Sequence, residues 1–216
     1  MKRITILTGH YGSGKSEIAV NMAIQEKLDW LIDLDIINPY FRSRSVRALL
    51  EGNGIELIES TIENAAGSDL PFISPKGSRP FVKRDIHAVY DLGGTQHGAK
   101  VMMQFRDFIK HPEDIDFLVV VNIFRQETDS AEKIIKMVHE LEATSQLRVT
   151  GFINNSNLME YTDESMIEAG QRIIFEASEA LKRPIVYTYI EEHVKTTKVF
   201  AGDNKVLIRH LAKQWL

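Results

Sequence analysis

The chain contains no cysteine. Disulfides, thiolate zinc sites, iron–sulfur clusters and a cysteine nucleophile are therefore excluded. The absence is compatible with a reducing compartment, and a cytoplasmic location is expected. No stretch approaches the roughly 18 consecutive apolar residues of a membrane-spanning helix. Met1-Lys2-Arg3 runs directly into a short apolar run with no small-residue cleavage site, so no signal peptide is expected. There is no basic surplus either: 26 Lys and Arg stand against 30 Asp and Glu. Bulk charge thus gives no argument for a nucleic-acid partner. Internal repeats and low-complexity segments are missing too. What remains is a 216-residue chain, 44% hydrophobic and 26% charged. That length buries a substantial core without staples and suits a single domain spanning 1–216.

What the sequence does have is a phosphate-binding pattern. Gly9-His10-Tyr11-Gly12-Ser13-Gly14-Lys15-Ser16 reads G-x-x-x-x-G-K-S, after the apolar run 4–8 and before a helix-like run 17–27. That is the context a P-loop requires: buried strand, glycine-rich turn, helix N-terminus. Glycines let the backbone approach a ligand without Cβ clashes. Successive N–H groups can then form an anion nest, reinforced by the positive end of the helix dipole. Lys15 offers a point charge to the β- and γ-phosphates, and Ser16 a hydroxyl ligand for Mg²⁺. His10 is the one histidine expected to touch this site; the others show no ligand-like spacing.

Strand-like text recurs at 30–35, 55–58, 86–91, 116–122, 149–155 and 184–190, separated by helix-like text at 43–51, 99–110, 128–141 and 163–182. A last helix is expected over 204–216. Such alternation predicts a three-layer, doubly wound α/β fold with a mostly parallel sheet. Right-handed crossovers put the strand C-terminal ends on one edge, where ligands bind. The 60–83 stretch, broken by Pro71, Pro75 and Pro80, is the longest region without clear periodicity, and long loops are usually functional or mobile.

Acids fall at the same edge. Asp33 and Asp35 stand two apart on a strand, and period two sends both to one face. Like charges on a buried face are costly unless something positive is near, as a Lys15–Mg²⁺–phosphate cluster would be. Asp35 is the candidate to orient an attacking water, and Asp33 to support the metal region; the same acids also read as caps. Asp91-Leu92-Gly93-Gly94 reads D-x-x-G: Asp91 to hold Mg²⁺, Gly94 to turn its N–H to a terminal phosphate. It also reads as an ordinary strand-to-helix turn.

Taken in order, Gly9…Gly14-Lys15-Ser16, Leu31-Ile32-Asp33-Leu34-Asp35, Asp91-Leu92-Gly93-Gly94 and Gly151-Phe152-Ile153-Asn154-Asn155 resemble the MinD/ParA-like ATPases of the CobQ/CobB/MinD/ParA nucleotide-binding superfamily, over about residues 1–190. The resemblance implies a P-loop NTPase fold, ATP and Mg²⁺ as cofactors, and ATP hydrolysis with nucleotide-responsive switch loops. It implies Asp35 in switch I, Asp91 and Gly94 in switch II, and Asn155, then Asn154, at the adenine; Asn154 to Asn157 also read as a polar turn. It implies a homodimer as well. Members of the MinD/ParA type place a lysine just after the first glycine, which reaches the partner subunit's phosphates. Here His10 holds that position and Tyr11 replaces a glycine, which argues against a lysine supplied in trans.

Two other readings stay open: an ATP-dependent synthetase or small-molecule kinase with an acceptor site in 38–44 and 60–83, and a non-catalytic nucleotide switch. Arg42 and Arg44 suit either transition-state charge or an anionic metabolite. A protein or metabolite partner is expected but not named. The C-terminal helix, basic on one side and carrying Trp215, suits packing on the sheet or contact with a membrane surface.

Overall fold

A computed structural model describes residues 1–35, 44–59, 75–94 and 96–211. Eight strands form one sheet: β1 (Ile4–Thr8), β2 (Trp30–Leu34), β3 (Glu56–Glu59), β4 (Ala88–Leu92), β5 (Ile115–Val121), β6 (Gly151–Asn154), β7 (Ile185–Glu191) and β8 (Asp203–Leu207). The helices are α1 (Lys15–Gln25), α2 (Arg44–Gly52), α3 (Arg79–Val82), α4 (Gln96–Val101), α5 (Ala131–Ser145) and α6 (Glu164–Leu181). Strand order is β3-β2-β4-β1-β5-β6-β7-β8, and every neighbouring pair is parallel. The expected doubly wound α/β architecture is thus present.

Period-two alternation divides the core between the two sheet faces. Ile4, Ile6, Ile32, Tyr90, Phe117 and Val119 pack on one side, with Ile134 and Val138 of α5 and Ile174 of α6. Leu7, Leu31, Val89, Leu118 and Val120 pack on the other, under Ile18 and Met22 of α1 and Leu50 of α2. Strands covered on both faces read as near-continuous apolar runs, as β5 does. β1 lies in the middle, with β4 on one side and β5 on the other. The chain leaves β1 toward β2 and β3, returns to insert β4, then crosses to β5. That reversal opens a crevice at the C-terminal end of β1, where ligands of such sheets bind.

The start of α1 differs from those of α5 and α6. Ser130 caps α5 by accepting from Lys133 N, and Asp163 caps α6 by accepting from Met166 N at 3.0 Å. α1 begins at Gly14 with φ 87° and no side-chain cap. Its first N–H groups therefore face the crevice.

The chain departs from expectation in three places. The helix expected over 99–110 is shorter and tighter: α4 ends at Val101 and a 3-10 segment follows over Met102–Phe108. No helix forms over 203–211. Instead Asp203–Leu207 is a strand, registered with Tyr187–Glu191 of β7. The exposed sheet edge offers its main chain more than helical spacing offers Val206 and Leu207. The helix expected over 204–216, whether packed on the sheet or set against a membrane, thus gives way to a strand as far as Leu207; 212–216 lie outside the described residues. Among the described residues no helix is long and apolar enough to cross a membrane. Third, the last residues of the proposed 60–83 acceptor loop lie at the N-terminal end of the sheet, away from the P-loop. Arg3, just before β1, donates to the carbonyls of Pro80, Lys83 and Ile86. Phe81 stacks on Tyr90 at 5.1 Å. The segments 36–43, with Arg42, and 60–74 lie outside the described residues; Arg44 is the first residue of α2.

Candidate nucleotide site

The P-loop wraps from β1 into α1, and residues from four other strand ends converge on it. Lys15 is buried and its Nζ donates to the carbonyl of His10 at 3.3 Å. Ser16 Oγ donates to Asp91 Oδ2 at 2.5 Å. Asp91 is fully buried, and its other oxygen, Oδ1, has no hydrogen-bond partner. A buried carboxylate oxygen left open is costly, and such an atom calls for an explanation.

The acids are brought together as period two requires. Asp33 of β2 and Asp91 of β4 are direct partners across the parallel pair. Both lie on the α1 face, and like charges so placed repel. Asp35, just past β2, donates its N–H to Asp33 Oδ1 at 2.9 Å. Its carboxylate lies over Gly93, where an added Cβ would meet Oδ1 at 3.4 Å. Burial raises the Asp91 carboxyl to about 6, against relief from the Lys15 charge and the Ser16 hydrogen bond; Asp35 adds a further rise. Burial, with the Asp91 charge next, holds Asp33 well above the usual carboxylate range.

Gly94 meets the P-loop so closely that a Cβ there would overlap the carbonyl oxygen of Gly9. Only glycine permits this approach. Gly9, Gly94 and Lys15 thus share one small volume. Asn155 follows β6 and donates its Nδ2 to the carbonyl of Ser13 at 2.7 Å. In a planar trans peptide, C=O and the next N–H point in opposite directions. Holding the Ser13 carbonyl outward therefore aims the Gly14 N–H away from Asn155. Asn155 Oδ1 is buried and has no partner. Asn154 faces elsewhere. Its Nδ2 donates to the carbonyl of Ile167 at 3.1 Å and its Oδ1 accepts from Ser156 N at 3.1 Å, so it joins β6 to α6.

His10 and Tyr11 sit on the outer rim. Tyr11 is exposed, and His10 Nδ1 lies 3.4 Å from Glu127 Oε2. An open cleft of about 510 Å³ begins there, lined by His10, Gly94, Glu127, Lys133, Lys136 and Met137 among others.

Sequence reading did not single out Arg125. It lies four residues past β5 and its Nε donates to the carbonyl of Gly12 at 2.9 Å. Its placement after a strand C-terminal end was the available signal. Asn122 was also overlooked: its Oδ1 accepts from Phe124 N and Asn157 N, tying the ends of β5 and β6 together.

The residues fit a magnesium–nucleotide pair. Ser16 Oγ and Asp91 are hard oxygen donors, and the open Oδ1 has capacity for the metal or its water shell. Among the described residues no group of three or more His, Asp or Glu is arranged to hold a metal alone.

No family model matches the chain, and no curated protein sequence does. Solved structures do match in fold. FtsY from Mycoplasma mycoides superposes with TM-score 0.52 at 18% identity, over 86% of this chain and 59% of that one. Chloroplast FtsY from Physcomitrella patens gives 0.56 at 15% identity, over 87% and 58%. Signal Recognition Particle 54 kDa protein from Aeropyrum pernix, in complex with GDP, gives 0.51 at 13% identity, over 84% and 40%. The chain spans less than two thirds of the length of each of these neighbours. At these identities the likeness concerns the fold: a parallel sheet with flanking helices, of the P-loop NTPase kind.

Proposed function

We propose that the chain is a single Mg²⁺-dependent nucleotide-binding unit that hydrolyses the terminal phosphoanhydride of ATP. The observation that carries this reading is the Ser16–Asp91 hydrogen bond beneath the P-loop, with the second Asp91 oxygen buried and open. Lys15 and the amides at the start of α1 stabilise phosphate charge. Ser16 and Asp91 would hold the metal, which would supply charge neutralisation at the phosphates. Asp35 orients the attacking water, and Gly94 presents its N–H to the terminal phosphate. Phosphoryl transfer needs little beyond such positioning and charge.

ATP is supported by the order of the P-loop, D-x-D, D-x-x-G and Asn155 motifs, which resembles the MinD/ParA-like ATPases. The free Asn155 Oδ1 is an acceptor able to take an amino group of the base. A second reading, GTP, is favoured by one specific observation: a solved neighbour of the same fold carries GDP. Thermal melting with ATP, GTP and ADP, with and without Mg²⁺, separates them. The expected result is Mg²⁺-dependent stabilisation by ATP over GTP, and slow phosphate release without a second substrate. Stabilisation by neither nucleotide overturns the reading. Release only with an added metabolite replaces it with the synthetase alternative, and tight binding without release with the switch alternative.

A further inference from the structure

Arg125 is held in place from every side that its main chain offers. Its N–H donates to the carbonyl of Asn122 at 3.1 Å, and its carbonyl accepts from Thr128 N at 2.9 Å. Thr128 Oγ1 donates to the Asn122 carbonyl at 2.7 Å and closes the turn. This loop is a rigid bracket on the end of β5.

The bracket presses one guanidinium against the P-loop. Besides the Nε bond to the Gly12 carbonyl, an added Cβ at Gly12 would meet Nε at 3.1 Å and Cζ at 3.3 Å. Gly12 also has φ +74°, so both backbone and neighbour require glycine there. The peptide that Arg125 grips ends in Ser13 N–H, which donates to the His10 carbonyl at 3.1 Å. The same carbonyl accepts from Lys15 Nζ. Arg125 and Lys15 are therefore the two ends of one hydrogen-bonded chain through the turn His10 to Ser13. Glu127, two residues on, faces His10 rather than Arg125. Among the described residues no carboxylate pairs with Arg125, and its terminal nitrogens have no protein acceptor. It is half-buried, with its charge uncommitted beside the loop.

We propose that Arg125 is the second cation of the site. Its Nε fixes the turn, and its terminal nitrogens take an oxygen of the nucleotide's terminal phosphate. The charge is thus supplied from the same chain, with no lysine after Gly9. This inference rests on the nucleotide reading above. Guanidinium suits the role because its fork remains donating after one N–H is used.

The test compares wild type, Arg125→Ala and Arg125→Lys for affinity toward the diphosphate and a non-hydrolysable triphosphate, and for turnover. Melting curves confirm folding, and Arg125→Gln replaces the alanine variant should that one not fold. The expected result is diphosphate affinity within about threefold of wild type, triphosphate affinity reduced at least about tenfold, and kcat reduced on the order of 100-fold in Arg125→Ala. Arg125→Lys should recover part of both losses, and wild-type turnover per chain should not rise with protein concentration. Equal losses for di- and triphosphate reduce Arg125 to a positioning residue and overturn the proposal. Unchanged kinetics, or turnover per chain that climbs with concentration, also overturn it. Wild type that binds neither nucleotide overturns the nucleotide reading itself, and this inference with it.

Discussion

Helix α1 carries one polar cluster along its side and another at its N-terminal end, and the two are built on opposite principles. Along one side Glu17, Asn21 and Gln25 recur every fourth residue and receive the main chain of 206–211. Gln25 Nε2 donates to the Val206 carbonyl at 2.7 Å. Asn21 donates to the Ile208 carbonyl at 2.8 Å and accepts its N–H at 2.9 Å. Glu17 accepts His210 N–H at 2.6 Å and Leu211 N–H at 3.2 Å. Burial pushes the Glu17 carboxyl up, but these bonds and the Arg209 charge oppose the rise. At the N-terminal end the accounting is left open. Asp91 Oδ1, Asn155 Oδ1, Ser13 Oγ and Thr8 Oγ1 are buried without partners, and Asp33 and Asp35 crowd Asp91, whose charge Lys15 relieves. A satisfied polar cluster fixes structure, whereas spare capacity in a buried one marks a place for a ligand. Burial of polar groups alone does not locate a site; open atoms gathered at the start of α1 do, whereas the open atoms of Arg3, Asp114 and Arg183 belong to groups already held in ion pairs.

The contrast predicts which changes affect binding and which affect folding. Lys15→Ala removes the principal phosphate charge, so triphosphate affinity should drop at least about 100-fold by titration calorimetry, while melting curves show the chain still folded. Survival of affinity would break the comparison at its strongest point. Asn21→Ala should do the reverse. Two main-chain groups of Ile208 lose their partner, costing about 1–3 kcal/mol in denaturant unfolding, with nucleotide affinity unchanged within about threefold.

The acids give a pH signature. The Asp91 carboxyl is raised from 3.8 to about 6 in the folded chain. The stabilisation from its protonation is complete below the unfolded value and is lost as pH rises through about 6. Without metal, the chain should therefore gain on the order of 1 kcal/mol between pH 7 and pH 5 from this group, and Asp33 acts with the same sign. Asp91→Asn should flatten that slope and abolish metal-dependent binding. A slope of equal size in the variant would contradict the assignment. The smallest effect is expected from His10→Ala. Lys15 uses the His10 carbonyl rather than its ring, so affinity and turnover should stay within about threefold. A tenfold loss would give the ring a role that its position on the rim does not suggest.

Much of this arrangement was legible in the residues. Asp33 and Asp91 meet because each stands at the C-terminal end of an apolar strand on the α1 face, and strand period and crossover handedness suffice to place them there. The β8 strand was not legible. Asp203-Asn204-Lys205-Val206-Leu207 has two apolar residues, and Val206, Leu207 and Leu211 also fit a helix. Only the edge of β7 and the side chains of α1, far away in sequence, select the strand. Arg125 was hidden for the same reason, since its partner Gly12 is reached through folding and no local motif announces it. Asn154 and Asn155 read alike in a row, yet alternation at the end of β6 sends one to α6 and the other to the P-loop.

The central claim is that the open oxygen of Asp91 beneath Ser16 marks a magnesium–triphosphate site. Calorimetric titration of ATP into wild type and Asp91→Asn, each with Mg²⁺ and with a chelator, tests it most directly. Binding to wild type should weaken at least about tenfold when Mg²⁺ is removed, and the variant should bind weakly and indifferently to Mg²⁺. Equal, Mg²⁺-dependent binding by both chains would contradict it.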